Sequence, residues 1–384
     1  MIMRVVIAPD SFKECLSAAD VASAIALGIK DALPTAFVVC VPMADGGEGS
    51  LDAVLAATDG KRRSAQVMNA NSQPTTADWG WLGEGKAFIE MAAAAGLEQI
   101  PPQARQPLQA TSYGVGQLIA EAVAAGARHI VLGLGGSASN DAGAGLLQAL
   151  GVKLLDEQGQ ELPAGGAALS RLARLSMESV DPALHEVNFE IAVDVDNPLC
   201  GPRGASAIFG PQKGASPQDV AELDAALAHF ADICAAHFNK DERNLPGMGA
   251  AGGLGFAVKT CFKASFRPGV ELLAELSGLP AALQGADLVF TGEGRMDAQT
   301  LLGKTPAGVA RYARAQGIPV IAIAGSLGEG YEALYEAGIT AAFSLTPGPL
   351  TLAQACDDAA GYLRQRAGDC LRVWLAGRQA AKSA

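Results

Sequence analysis

Short apolar runs alternate with amphipathic runs near both ends of the chain. The apolar runs predict strands at 4–9, 37–41, 287–290, 319–324 and 340–345. The amphipathic runs predict helices at 18–33, 50–57, 307–316 and 331–337, followed by a last helix that begins at Thr351 and runs to Trp374. Five short strands separated by helices are typical of a doubly wound parallel α/β sheet, so we expect the two ends of the chain to share one domain.

The pattern changes in the middle of the chain. Residues 63–90 alternate polar and apolar positions and contain the turn signal Gly83-Glu84-Gly85, which predicts antiparallel strands. Further strands are predicted at 129–134, 152–155 and 189–193. We therefore expect a second, mixed α/β domain at 67–260, inserted into a first domain formed by 1–66 and 261–384.

Composition narrows the class of protein. A chain of 384 residues is long enough for two domains, and 46 glycines with only 5% aromatic residues favour an α/β enzyme with many tight turns. The net charge of −12 argues against nucleic acid as a partner, because the 28 Lys and Arg residues are scattered. An anionic substrate must therefore be held by a few local cations and by backbone amides.

Cysteine spacing and the first residues bear on the compartment. The seven cysteines never approach the C-x-x-C spacing of a zinc site, and an odd number cannot form a complete disulfide framework. No long apolar run follows the N-terminal basic residue, and no run reaches the roughly 18 apolar residues of a membrane span. These observations predict a cytoplasmic protein without a membrane partner.

The segment 286–305, ADLVFTGEGRMDAQTLLGKT, combines a predicted buried strand with a charged loop. Glu293, Arg295, Asp297 and Lys304 follow the strand at its carboxyl end, which is where open α/β sheets bind ligands. Lys304 is followed by a threonine, as in a Walker A phosphate loop, but Ala298 replaces the first glycine of that motif. An ordinary loop that ends in a helix cap is the alternative.

Two more charged loops follow the first two strands. Asp10, Ser11 and Lys13 come after the first strand, and Asp45-Gly46-Gly47-Glu48 comes after the second. The glycines allow close approach of backbone to a ligand. Capping of the following helices by Asp10 and Asp45 is the alternative interpretation.

The middle of the chain adds three candidate loops. Their candidate residues are Gly135, Gly136, Ser137, Asn140 and Asp141 in the first, Asp194 and Asn197 in the second, and Lys213 in the third. Lys213 stands between glycines before a helix that Ser216 and Asp219 are predicted to cap, which suits an anion ligand. A solvated loop lysine is an equally good interpretation from sequence.

A dinucleotide-binding site is the main rival for the first of these loops. Gly133, Gly135 and Ala138 match G-x-G-x-x-A, and Asp156 stands where a ribose ligand would follow the next strand. Asn140 and Asp141 oppose this interpretation, since an acid would repel a pyrophosphate unless the phosphate came with Mg²⁺.

Eight loops together resemble those of the type I bacterial glycerate kinases. They are APDSFKECL, ADGGEG, GLGGSASNDAGAG, DVDNPL, FGPQKGA, GAAGGLG, TGEGRMDAQ and GKTPAGVA, in this order over nearly the whole chain. The resemblance implies a flavodoxin-like doubly wound domain with a second mixed α/β domain inserted into it. One departure is Ala142, where the family has glycine, and it leads us to expect a negative φ at this position.

The resemblance also implies the reaction and its partners. ATP, with Mg²⁺, would phosphorylate D-glycerate, at the 2-hydroxyl, in a cleft between the two domains; whether the chain forms a homodimer stays open. From their charge, Lys13, Lys213, Arg295 and Lys304 are candidates for holding the anionic reactants. Asp10, Asp45, Asp194 and Asp297 are candidates for the proton acceptor. Asp194 and Asp297 rank first, as base or Mg²⁺ ligand, because each follows a buried strand of a different domain, and with Lys13 and Lys304 they form the predicted catalytic set.

Two other functions remain compatible with parts of the sequence. A nicotinamide dehydrogenase would account for one glycine-rich loop, and a sugar-acid binding protein would also have two α/β domains. The kinase accounts for all of the charged and glycine-rich loops, so it is the function that the sequence favours.

Overall fold

A computed structural model describes residues 2–47, 49–301 and 303–383. In this part of the chain the strands are β1 (Arg4–Ile7), β2 (Phe37–Cys40), β3 (Lys61–Met68), β4 (Pro74–Gly83), β5 (Lys86–Glu90), β6 (His129–Gly133), β7 (Lys153–Leu155), β8 (Arg174–Ser176), β9 (Asn188–Ala192), β10 (Ala264–Arg267), β11 (Leu288–Thr291), β12 (Arg295–Met296), β13 (Val320–Ala324), β14 (Ser326–Leu327) and β15 (Ala341–Ser344). The helices are α1 (Ala18–Ala32), α2 (Ser50–Ala57), α3 (Met91–Ala95), α4 (Tyr113–Ala124), α5 (Ala144–Ala149), α6 (Ala205–Phe209), α7 (Pro217–Phe238), α8 (Leu254–Cys261), α9 (Gly269–Leu276), α10 (Leu279–Ala282), α11 (Thr305–Ala315), α12 (Leu334–Ala337), α13 (Leu352–Asp357) and α14 (Ala359–Ser383).

Five strands from the two ends of the chain form one parallel sheet, as the sequence predicts. Its strand order is β2-β1-β11-β13-β15. Val5 of β1 lies opposite Leu288 of β11 on one side and Val38 of β2 on the other. This order, 2-1-3-4-5 by position along the chain, is the order of flavodoxin-like sheets.

Both faces of this sheet are covered, which explains why its strands read as continuous apolar runs. Val5 and Ile7 point to a core that they share with α1 and α14, whereas Val6 points to a core shared with α9 and α11. Because successive side chains of a strand alternate between faces, a strand buried on both sides needs apolar residues at every position.

A second sheet is mixed. Its order is β3-β4-β5-β6-β9-β10, with β3, β4 and β5 antiparallel and the strands from β5 to β10 parallel. The antiparallel texture predicted for 63–90 is therefore confirmed. The pair β7 and β8 forms a small antiparallel sheet of its own.

The described residues divide into two compact units. The first comprises residues of 1–45, 52–59 and 269–384, and the second those of 46–51 and 60–268. The divisions at 59/60 and 268/269 differ from the predicted 66/67 and 260/261, and residues 46–51 group with the second unit rather than the first. The reason is strand pairing, since β3 pairs with β4 along its whole length and β10 pairs with β9.

Capping boxes stand at the starts of two helices, and one predicted helix is interrupted. Ser216 and Asp219 form the predicted capping box of α7, and Thr351 and Gln354 form that of α13. The last helix was predicted to be continuous to Trp374, and this is wrong. Asp358 leaves the helical conformation, with φ −131° and ψ 31°, and separates α13 from α14.

Candidate active site

The charged loops after β1 and β11 lie side by side in the first unit. The strand order reverses between these two strands, and in open α/β sheets ligands bind at such a switch point, beyond the carboxyl ends of the strands. The backbone N–H of Asp10 donates to the carbonyl oxygen of Gly292 over 2.8 Å, which ties the two loops together. The rule for α/β sheets therefore points to this place as the ligand site of the first unit.

Two residues at the end of β11 explain how its loop turns so sharply. A Cβ at Gly292 would lie 1.9 Å from the carbonyl oxygen of Ile323, so only glycine fits against the next strand. The buried hydroxyl of Thr291 donates to the carbonyl oxygen of Ala8 at 2.8 Å. Close backbone packing at these positions fixes where the side chains of the loop begin.

Asp10 is half-buried and makes defined contacts. Its Oδ2 accepts a hydrogen bond from the Thr305 hydroxyl at 2.6 Å, and its Oδ1 accepts from the backbone N–H of Ser11 at 2.7 Å. Burial, and then the nearby carboxylates of Asp45 and Glu293, raise the pKa of Asp10 to about 7, although both hydrogen bonds act in the opposite direction. This carboxyl group is therefore able to exchange a proton near neutral pH.

Glu293 is buried beside the same loop. Its Oε1 accepts from the Thr300 hydroxyl at 2.6 Å, and its Oε2 lies 3.2 Å from the Lys304 ammonium group. Burial raises the pKa of Glu293, whereas Thr300 and Lys304 lower it and Asp45 raises it. The Lys304 side chain is thus held near the carboxylates that surround Asp10.

The N-terminus of α11 contributes positive potential at this place. Lys304 is the N-cap, Thr305 is the first helical residue, and Pro306 occupies a first-turn position where its missing N–H costs nothing. The helix dipole and the lysine together favour an anion. Ala298 lies in a short 3₁₀ turn, 298–301, so this N-terminus is reached without a Walker A loop.

Of the remaining predicted residues of the first unit, Asp45 and Asp297 are half-buried and Lys13 and Arg295 are exposed. Asp297 Oδ1 accepts from the backbone N–H of Gln299 at 2.9 Å, and its Oδ2 accepts from Arg295 Nε at 3.2 Å. Asp297 therefore caps a turn of its own loop. Lys13 is exposed, in the loop that carries Asp10, and Asp45 is half-buried.

Lys213 lies in the second unit and is almost fully buried, at 2% exposure. Its ammonium group donates to Ser137 Oγ at 2.8 Å and to the carbonyl oxygen of Ser139 at 2.6 Å. Burial lowers the pKa of Lys213 to about 7, and the carboxylate of Asp141 raises it. The interpretation as a solvated loop lysine is therefore wrong.

Asp141 holds the same loop from the inside. Its Oδ2 accepts from the backbone N–H and the hydroxyl of Ser112, at 2.8 and 2.9 Å, and from the N–H of Gly145; its Oδ1 accepts from Gly143. Burial raises the pKa of Asp141, against these hydrogen bonds. Asp141 thus fixes the backbone before α5.

The loop before α5 contains a residue with positive φ and buried polar atoms without a partner. Ala142 has φ 51°, so the expectation that it avoids positive φ is wrong. Its N–H donates to the carbonyl oxygen of Gly252 at 2.8 Å, a contact that helps to hold this conformation. Asn140 donates to Ser206 Oγ, and among the described residues Asn140 Oδ1 and Ser139 Oγ are buried without a hydrogen-bond partner.

The glycines of this region pack against backbone. The N–H of Gly135 donates to the carbonyl oxygen of Gly46, and a Cβ on Gly135 would lie 2.5 Å from Gly47 Cα. Gly136 has φ 74° and is exposed. Glu48, the other predicted residue of the second loop, lies outside the described residues.

The dinucleotide interpretation does not fit this geometry. Asp156 accepts hydrogen bonds from the backbone N–H groups of Gln158 and Gln160, both at 2.9 Å, and so closes its own turn. The strand before it, β7, pairs only with β8 among the described strands and lies outside the six-stranded sheet. A ribose-binding carboxylate would need to follow a strand of the large sheet.

The loop after β9 carries the last predicted residues. Asp194 is exposed. Asn197 is half-buried, and its Nδ2 donates to the carbonyl oxygen of Arg203 at 2.8 Å. These residues lie in the second unit, as Lys213 does.

Sequence reasoning missed the hydroxyl groups that hold the acids. Thr300, Thr305 and Ser112 each donate to a buried or half-buried carboxylate. A threonine directly after Gly-Lys at a helix start was a usable signal for Thr305. Ser112 gave none, because it is 29 residues from Asp141.

Fold and site together define an α/β protein whose charged and hydroxyl side chains gather where parallel strands end. The family model described as Glycerate kinase family matches residues 5–375. Glycerate kinase of Halalkalibacterium halodurans is 47% identical over 94% of this chain and 96% of its own length. Glycerate 2-kinase of Escherichia coli is 46% identical, over 92% and 93%.

A solved structure agrees with these relatives. The crystal structure of a Salmonella typhimurium LT2 protein that carries the name glycerate kinase 2 superposes with a TM-score of 0.90 at 45% identity, covering 99% of this chain and all of that one. The chain belongs to the glycerate kinase family and is a phosphotransferase.

Proposed function

We propose that the protein transfers the γ-phosphoryl group of ATP to the 2-hydroxyl of D-glycerate and so forms 2-phosphoglycerate. The observation that carries this proposal is the grouping of Asp10, Glu293 and Lys304 at the switch point of the first sheet, in a chain of the glycerate kinase family. The choice of the 2-hydroxyl is supported by the Escherichia coli relative, which is named Glycerate 2-kinase.

Phosphoryl transfer needs positioned charges more than covalent chemistry. The Lys304 ammonium group and the N-terminus of α11 are suited to the negative charge of a phosphate. A carboxylate must accept the proton that the hydroxyl of glycerate loses. The candidates for both roles lie within one unit of the protein.

Mg²⁺ is proposed as part of the nucleotide substrate. Within the described ranges, no group of three His, Cys, Asp or Glu side chains is placed to hold a metal ion. An ion that arrives with ATP needs only one or two carboxylates, because phosphate oxygens and water complete its shell. Asp194 and Asp297 keep this role as a prediction from sequence.

The assay is ADP release from ATP with D-glycerate, with the product identified by ³¹P NMR as the 2- or 3-phosphate. We expect turnover that requires glycerate and stops in excess EDTA. Full turnover in excess EDTA would contradict the Mg²⁺ requirement. Formation of NADH from NAD and glycerate, without ADP release in the kinase assay, would favour the dehydrogenase instead.

The remaining predictions concern the cellular location and the oligomeric state of the protein. None of the described helices combines the length and the apolar character that crossing a membrane requires. The cytoplasmic location, a cleft between two domains and a homodimer stay predictions.

A further inference from the structure

We propose that Asp10 is the group that accepts the proton of the glycerate hydroxyl, and that Thr305 is its positioning residue. This inference rests on the proposed function and names the base within it. It differs from the ranking by sequence, which favoured Asp194 and Asp297.

The position of Asp10 is the first argument. Asp10 follows β1, the strand at which the chain order of the sheet reverses, and its backbone is tied to the neighbouring loop through the carbonyl oxygen of Gly292. Ligands of open α/β sheets enter at this place. The residue as a whole is half-buried, and its backbone is fixed by this hydrogen bond.

The contacts of Asp10 are the second argument. Its Oδ2 accepts from the Thr305 hydroxyl at 2.6 Å and its Oδ1 accepts from the Ser11 N–H at 2.7 Å, so the carboxylate is held in one orientation. A base held at one orientation is more effective than a mobile one.

The charges around Asp10 are the third argument. Asp45, after β2, and Glu293, after β11, both oppose ionisation of Asp10, while Lys304 pairs with Glu293. A carboxyl group among like charges binds a proton more tightly, and a base whose pKa lies near the working pH accepts a proton most effectively. The pKa of about 7 at Asp10 agrees with this requirement.

The proposed step is balanced in atoms and charge. The glycerate hydroxyl oxygen forms a bond to the γ-phosphorus of ATP, and the bond from that phosphorus to the β,γ-bridging oxygen breaks, leaving its electron pair on ADP. The hydroxyl proton moves to a carboxylate oxygen of Asp10, which later releases it to water.

Thr305 fixes the orientation of the Asp10 carboxylate. It is fully buried, it begins α11, and its hydroxyl donates to Asp10 Oδ2 at 2.6 Å. A donor to the ionised carboxylate stabilises the ionised form and so lowers the pKa of Asp10. A carboxylate oxygen has two lone pairs, so Oδ2 keeps one for the substrate after accepting from Thr305.

The main experiment is single-turnover phosphorylation of D-glycerate by Asp10→Asn with ATP and Mg²⁺ at saturation. Asparagine keeps the shape and removes the proton affinity, so we expect a rate lower by about 10²-fold or more and an ATP dissociation constant within about threefold of wild type. A rate within threefold of wild type would overturn the proposal. So would recovery of the rate at tenfold higher Mg²⁺, because that is the behaviour of a metal ligand.

Asp20→Asn is the matched control. Asp20 also accepts a hydroxyl hydrogen bond at 2.6 Å, from Ser17, but it is exposed in the first turn of α1. We expect wild-type rates from it. If wild-type protein itself fails to phosphorylate glycerate, the proposed function fails as a whole; if wild type is active and Asp10→Asn is equally active, only the base assignment fails.

Thr305→Val and Thr305→Ser test the positioning role through the pH profile. Valine removes the donor at nearly constant volume, so the pKa of Asp10 rises and the acidic limb of the rate profile moves to higher pH by about half to one unit. Serine keeps the hydroxyl and should keep the wild-type limb. A merely structural residue would lower the rate without moving the limb, and an unmoved limb in Thr305→Val would overturn the positioning role.

Discussion

The ammonium group of Lys213 lies 2.6 Å from the main-chain oxygen of Ser139, a residue 74 positions earlier in the chain. Together with the contact to Ser137 Oγ, this hydrogen bond joins the 3₁₀ turn before α7 to the loop before α5. A buried ammonium group is costly unless its N–H groups are hydrogen-bonded. The conformation of the loop before α5 and the burial of Lys213 therefore stabilise each other.

The dependence of stability on pH should report this contact. The pKa of Lys213 falls from 10.5 to about 7 on folding, so between these values the unfolded chain binds more protons and the free energy of unfolding rises with pH. Between pH 7.5 and 9, we expect the free energy of unfolding of wild type to rise by up to about 1 kcal/mol per pH unit relative to that of Lys213→Met. Urea unfolding measures this difference. Lys86 is exposed, so Lys86→Met is the control, and its difference from wild type in free energy of unfolding should not change with pH. A difference that also stays constant with pH for Lys213→Met would contradict the expectation.

The candidate cations should act on the transition state. Lys304→Met removes positive charge beside the N-terminus of α11, and we expect kcat to fall by about 10²-fold with only a few-fold rise in KM. The same split is expected, more weakly, for the exposed Lys13 and Arg295. Steady-state kinetics of the three variants, with Lys86→Met alongside, check this. A rise in KM at constant kcat would assign these groups to ground-state binding.

Substitution by asparagine distinguishes a Mg²⁺ ligand, the role predicted for Asp194 and Asp297, from the proposed base. Asp194→Asn or Asp297→Asn should raise the Mg²⁺ concentration needed for half-maximal rate, by about tenfold, while kcat at saturating Mg²⁺ stays close to wild type. Titration of Mg²⁺ at fixed ATP measures the change. An unchanged requirement in both variants would remove these residues from the metal site.

Ala142 carries a backbone cost that glycine would not. A left-handed alanine costs roughly 1–2 kcal/mol, so Ala142→Gly should leave the free energy of unfolding unchanged or raise it by up to about 1 kcal/mol, despite the loss of a buried methyl group. Ala144→Gly is the matched control. It removes an equally buried methyl group in the first turn of α5, where glycine should cost about 1 kcal/mol. Thermal unfolding of both variants compares them; equal destabilisation would show that φ at Ala142 is not strained.

Local signals explain what the sequence could predict. The five strands of the first sheet and the capping box at Ser216 follow from apolar runs and helix-start residues, which act over a few positions. Strand ends then placed Asp10 and Glu293 at the ligand-binding edge, where the structure has them.

The features that the sequence could not predict depend on contacts between residues far apart in the chain. Thr305 is 295 residues from Asp10, and no periodicity or composition links the two. The burial of Lys213 likewise depends on the packing of a loop 74 residues away. The break at Asp358 had no local warning, since neither glycine nor proline stands there.

Pairing of β1 with β11 has a consequence for synthesis of the protein. The backbone N–H of Arg4 donates to the side chain of Asp287, 283 residues later, so β1 waits for its neighbour β11 while the whole second unit is made. At about 5–20 residues per second, that wait is tens of seconds on the ribosome. During this time β1 can pair with β2 on one edge only, and its other edge is of the unpaired kind that can pair with a strand of another chain.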